Sequence, residues 1–175
     1  MQIVCKDKKK KIMLILFVVA LGCLLFRPVT VLVLGSEKEG DILLRVNRGE
    51  KITLQYVHSI YQVDQHEIYE LKDSDFILRS LFFGNLRAAL YYDSYTQYPL
   101  THTTGGYEIN GLNLHYPVIR FALGHGTQYQ IAIGSRMRVD LNQTFFDATF
   151  LHIRAESVPA VKFYIMRFSN EREVK

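Results

Sequence analysis

Residues 56–71 read YVHSIYQVDQHEIYEL and gather side chains that could do chemistry: Tyr56, His58, Ser59, His66 and Glu67. Serine, histidine and a carboxylate are the parts of a nucleophile–base–orienter relay, with Ser59 attacking, His58 taking its proton and Glu67 orienting the ring. His58, His66 and Glu67, joined by one distant histidine, are also a zinc-type donor set. Strand geometry works against both. Successive residues on an extended chain point to opposite faces, so Ser59 turns away from His58 and His66 away from Glu67. No oxyanion-hole glycine pattern adjoins the pair. What alternation leaves is a contact between His58 and Glu67 across a hairpin. A two-residue loop at 62–63 would bring them into register. Gln62-Val63 lacks the Gly or Asn of a tight turn, so a longer loop with a shifted register competes with it. Either way a buried imidazole and carboxylate need partners, and a His–Glu contact would raise the ring pKa and orient it. The simplest reading of the pair is a polar contact that closes the sheet.

A strand pattern carries these residues. Ile52, Leu54, Tyr56 and His58 share one face of KITLQYVHS, which aims His58 inward. Similar runs recur along the chain: VTVLVLG, ILLRV, HEIYEL, FILRSLFF, YEI, LNLHYPVIRF, YQIAIGSRMRVDL, FFDATFLHIRA and AVKFYIMRF. Gly, Asn and Asp clusters separate them, and NLRAAL reads as a short helical turn. There is no βαβ alternation, nucleotide-binding glycine motif or fixed-period repeat. The expected fold is all-β, an antiparallel sandwich or partly open barrel, preceded by one hydrophobic helix.

A second candidate stretch, residues 91–117, holds Tyr91, Tyr92, Tyr95, Tyr98, Tyr107 and Tyr116 with His102 and His115. Tyrosine offers a large rigid surface with a polar tip, which suits recognition from a loop between strands. The same rings could equally pack over the open end of a sandwich. His125 and His152 read as a loop and a sheet position.

The N-terminus has a different texture. KDKKKK precedes an uncharged apolar run, Ile12–Phe26, followed by Arg27-Pro28. A basic segment before an apolar one is the pattern of an export signal or signal anchor. Spanning hydrocarbon takes about 20 residues. Snorkelling by Arg27 lets residues up to 29 complete the span. No close A-x-A cleavage site follows, and ALGC is only a weak lipobox-like string. The expected division is 1–11 cytoplasmic, 12–29 a transmembrane signal anchor, 30–168 an extracytoplasmic β domain and 169–175 a polar tail. Of 21 basic residues, six (Lys6, Lys8, Lys9, Lys10, Lys11 and Arg27) lie in this segment with Asp7 as its one acid, so 15 basic residues face 16 acidic ones beyond it. That balance carries no footprint for nucleic acid. Both cysteines, Cys5 and Cys23, also lie in the segment, so the exported part has no disulfide, catalytic thiolate or cysteine-ligated metal. No cofactor is implied.

GEKITLQYVHS, EIYEL and FILRSLFFG together resemble DUF1850, an uncharacterised bacterial and archaeal family. The matching positions are Gly49, Glu50, Tyr56, His58, Ser59, Glu67 and Gly84. The resemblance covers roughly residues 30–135. It departs after Phe83-Gly84, where the family's glycine-rich string is replaced by GNLRAAL. Members are often encoded beside TAXI-type TRAP solute transporters, which implies a link to solute uptake. The expectation is a membrane-anchored extracytoplasmic binding or accessory module, its partners the membrane and either a TRAP/TAXI component or a small solute. The competing expectation is a hydrolase or metal-dependent enzyme built on His58, Ser59 and Glu67.

Overall fold

The computed structural model describes residues 3–47, 49–124, 127–146 and 148–173, with side chains described for fewer of them at the two ends. Two antiparallel sheets dominate residues 30–156, and neither closes into a barrel. The four-stranded sheet takes the order β2 (Ile42–Arg45), β1 (Pro28–Ser36), β11 (Phe150–Pro159), β8 (Val118–Ala122). The seven-stranded sheet runs β10 (Met137–Asp140), β9 (Tyr129–Ile133), β3 (Lys51–Val57), β4 (Asp64–Lys72), β5 (Asp75–Phe83), β7 (Gly106–Tyr116), β6 (Leu100–Thr103). The sandwich alternative of the sequence reading is the one adopted.

Period-two patterning builds the core. Leu32, Leu34 and Leu44 from one sheet meet Ile52, Leu54, Leu78 and Leu81 from the other. Phe76, Phe83 and Phe145 are its largest fully buried side chains. Two bulges keep that face aligned. Between β4 and β5, Glu67 pairs with Leu81 and Tyr69 with Leu78, so one strand advances farther than the other. Between β5 and β7, Leu78 pairs with Leu114 and Ser80 with Asn110, and Gly111 supplies the positive φ of 77° this irregularity needs.

One side chain, Arg136, ties the two sheets at an edge through a bond to β2. Arg136, in the turn after β9, donates to both oxygens of Glu50 at 2.9 and 2.7 Å, and to the carbonyl of Arg45 at 2.5 Å. The fork of hydrogen bonds holds the Glu50 carboxyl down to about 2.

The short helix expected at NLRAAL forms as α2 (Leu86–Leu90), capped by Asn85, whose side chain accepts from the Ala88 amide at 2.8 Å. α3 (Leu141–Thr144) follows β10 and is capped by Asp140. Three expectations need correction. YEI and LNLHY are one strand, β7, because the Gly111 bulge absorbs the break at NG. AVKFYIMRF is helical: α4 runs Ala160–Glu173, through most of what was read as a polar tail. Residues 91–117 are not a single loop, because β6 and all of β7 lie within them. His125 lies outside the described residues.

The second unit comprises residues 1–29 and 157–175. Its first helix, α1, spans Ile3–Phe26, and the Ala160 amide donates to the Arg27 carbonyl at 2.9 Å. Ile12 through Val19 are all more than half exposed, which covers every face of two helical turns. Among the described residues, no helix is long and apolar enough to cross a membrane.

Two outcomes test this account of the fold. Phe76→Ala lowers unfolding free energy by about 3–5 kcal/mol in denaturant titration, the usual cost of a cavity at a sealed aromatic site. Arg136→Ala costs about 1 kcal/mol at neutral pH, since the pair is partly exposed. A carboxyl depressed in the folded state contributes stability above its unfolded value near 4.3, and that contribution is lost as pH falls towards 2. The gap between wild type and Arg136→Ala should therefore narrow below pH 4.

Candidate functional site

Register decides what the polar cluster becomes. On the β3–β4 hairpin Leu54 faces Glu67, Tyr56 faces Gln65 and Ile52 faces Tyr69. Glu67 thus stands on the inward face of the seven-stranded sheet, between residues that belong to the core. The loop is the longer of the two weighed from sequence, running from His58 to Val63. The contact expected between His58 and Glu67 does not form, because that loop carries His58 beyond the paired strand.

Glu67 takes different partners. The Tyr56 hydroxyl donates to its Oε1 at 2.6 Å and the Tyr69 hydroxyl to its Oε2 at 2.5 Å. Tyr56 sits beside Glu67 across the hairpin and Tyr69 two residues along the same face, so both phenols reach one carboxylate without bending the strands. Burial first, and then the negative charge of Glu67, push both phenol pKa values far above the ordinary range. The same two causes act on Tyr129, and burial with the neighbouring Tyr116 on Tyr95. Tyr56 and Tyr69 are thereby fixed as neutral donors to a single acceptor, Glu67.

His58 is 3 % exposed and organises the loop. Its Nδ1 accepts from the amides of Ile60 and Tyr61 at 3.2 and 3.4 Å, and its own amide donates to the Val63 carbonyl at 2.8 Å. The ring proton therefore belongs on Nε2. That nitrogen is the buried side-chain polar atom left without a hydrogen-bond partner among the described residues. Burial holds the imidazole below its ordinary pKa and keeps it neutral. Tyr61, Tyr91 and Tyr92 pack around the ring, with centroids 5.1, 5.4 and 5.8 Å away. Gly84 completes the corner: its amide donates to the Asp64 carbonyl at 2.8 Å, and a Cβ there would come within 3.0 Å of Val63.

Tyr56, His58, Glu67, Tyr69, Tyr91 and Tyr92 line one cavity of about 530 Å³ at an end of the sandwich. Glu67, Tyr56 and Tyr69 come from the seven-stranded sheet, Ile119, Arg120 and Phe121 from β8 of the other, and Tyr91, Tyr92 and Tyr95 from the segment after α2. A slab of stacked rings forms one wall: Tyr129 lies 5.2 Å from Tyr56 and 5.2 Å from Phe121, tilted by 23° and 25°. The volume is of the order that holds a small organic molecule.

The structure thus joins parts of both stretches singled out from sequence. Tyr56, His58, Ser59 and Glu67 meet Tyr91, Tyr92, Tyr95 and Tyr116 around the cavity. Tyr98 packs against the core elsewhere. His102 and Tyr107 form a cross-strand pair on β6 and β7, with ring centroids 5.1 Å apart. His115 stands half-exposed, 4.0 Å from Asp75. None of these last four lines the cavity. Tyr69, Arg120, Phe121 and Tyr129 were missed. Alternation could have found Tyr69, which shares a face with Glu67. The others reach the site through strand order, which no local pattern encodes.

The nucleophile relay is not assembled. Ser59 is exposed, His58 Nε2 has no partner, and both Glu67 oxygens are engaged by tyrosines. Among the described residues no group of three or more His, Cys, Asp and Glu could hold a metal ion. The arrangement can bind and orient: one carboxylate, neutral phenols and apolar ring faces.

Removing one phenol should hurt more than removing the whole polar group. Tyr69→Phe strips a charged acceptor of a partner and should cost about 1.5–3 kcal/mol in chemical unfolding. The triple change Tyr56→Phe, Glu67→Leu, Tyr69→Phe should stay within about 1 kcal/mol of wild type, because no buried polar atom is stranded. For His58, the unfolded chain binds a proton near pH 6.5 and the folded chain only below that value, so stability falls as pH drops through this window. His58→Leu should flatten the fall of melting temperature between pH 6.5 and 5, whatever its effect at pH 8. Comparison of the chain with protein families, with curated proteins and with solved structures finds no match.

Proposed function

We propose that this chain is a membrane-anchored, extracytoplasmic binding module of the DUF1850 type, which takes up a small solute in the cavity beside Glu67 and works alongside a TRAP-type transporter of the TAXI class. The cavity between the sheets carries the solute reading. A sandwich that needed only stability would fill that end with side chains, since interiors pack to crystal density. Here a carboxylate is held inward by two phenols and stays open to the cavity. The anchor reading rests on the basic N-terminal segment and on the apolar residues exposed around α1. The transporter link rests on the family resemblance alone. The enzyme reading finds no support in the positions of Ser59 and His58.

Thermal-shift screening of the detergent-solubilised chain against a broad solute library tests the binding reading. At least one solute should raise the melting temperature of wild type. Ile119→Trp, which enlarges an inward-facing residue of β8 in the cavity lining, should remove that shift. A library that stabilises both proteins equally would place the binding elsewhere. For the anchor, the full chain should resist alkaline extraction of membranes, and the pair Leu16→Lys with Val19→Lys should release it.

A further inference from the structure

Among the described residues, Glu67 is the one acid lining the cavity, and Arg120 on β8 is the one arginine or lysine that borders it. Arg120 does not answer Glu67. Its neighbours Ile119 and Phe121 pair with Ile153 and Leu151, both buried in the core, so alternation turns the Arg120 side chain to the outer face of that sheet, beside His152. His58 is neutral, and its unpartnered Nε2 is buried away from the surface. Three of the phenol protons are already committed: Tyr56 and Tyr69 donate to Glu67, and Tyr92 donates to Gln65 at 3.4 Å. Leu54, Leu78, Ile119 and Phe121 add apolar wall. A carboxylate has roughly four acceptor positions, and the phenols take two, one on each oxygen. Acceptor capacity and negative charge are left over, in a cavity whose described walls turn no counter-ion toward it.

Resting on the cavity reading above, we infer that the solute is an organic monocation, a primary ammonium on an apolar body. Its N–H groups donate to the open positions of Glu67, and its body packs against Leu54, Ile119 and Phe121. An anion would meet the charge of Glu67 with no cation to receive it, and a second ammonium would be stranded among apolar walls. A neutral alcohol of the same shape would keep the packing and lose the charge-assisted bonds.

Isothermal titration of the detergent-solubilised full chain, with the heat of dilution into matched micelles subtracted, tests the inference. The probes share a pentyl chain and differ in the head group: pentylamine, pentanol and hexanoate. Pentylamine should bind wild type at least about tenfold more tightly than pentanol, the factor a hydrogen bond to a charged group supplies. Hexanoate should not bind. Glu67→Gln, which keeps the shape and an acceptor for the phenols, should bring pentylamine down to the level of pentanol. The three probes on wild type decide the matter without a variant, should Glu67→Gln fail to fold. Pentanol or hexanoate binding as tightly as pentylamine would overturn the assignment. So would undiminished pentylamine binding to folded Glu67→Gln, or no pentylamine binding to folded wild type. The cavity reading would survive each of these results if the solute library still yields a ligand that Ile119→Trp excludes.

Discussion

A carboxylate on the inward face of a sheet is the constraint around which this domain is arranged. An ionised group taken from water needs compensation close at hand. Glu67 finds it in two phenols placed by strand geometry, one across the hairpin and one two residues along. Those phenols bring large rings to the cavity wall, where Tyr129 stacks between Tyr56 and Phe121. Charge, donors and cavity therefore arise together.

The neighbouring loop answers a different need. His58 leaves the paired strand and uses Nδ1 to satisfy amides that no strand partner can reach. Gln62, at φ 51°, turns the chain, and Gly84 makes room for the return at Val63. His58 is thereby fixed with its other nitrogen unpaired. A histidine with such a role in the loop is hard to replace.

The positions that carry the family resemblance fall into line with these roles. Gly49 takes a positive φ of 79° in the turn before β3, and Glu50 grips Arg136 of the turn after β9. Tyr56 holds Glu67, His58 folds the loop, and Gly84 admits it. Ser59 has a lesser part, its carbonyl accepting from the Gln62 side chain at 2.6 Å. Several of these positions maintain the corner that frames the cavity.

Strand alternation is a local property, and the amino-acid sequence determined it. The faces of β3 and β4, the separation of Ser59 from His58, the all-β class and the basic, apolar N-terminus are all legible there. Local patterns misjudged the C-terminal segment, where AVKFYIMRF has the composition of a strand yet follows Pro159 as a helix. They also divided β7 at a glycine that merely bulges it. Register and strand order lie outside local reach. Whether Glu67 faces His58 or Leu54 depends on a loop lengthened by hydrogen bonds to its own first residue. Tyr129, Phe121 and Arg120 join the site only because β9 pairs with β3 and β8 lies in the facing sheet. Those pairings are set by burial summed over two whole sheets. No window of residues around the motif contains that sum, and the cavity exists only where it is resolved.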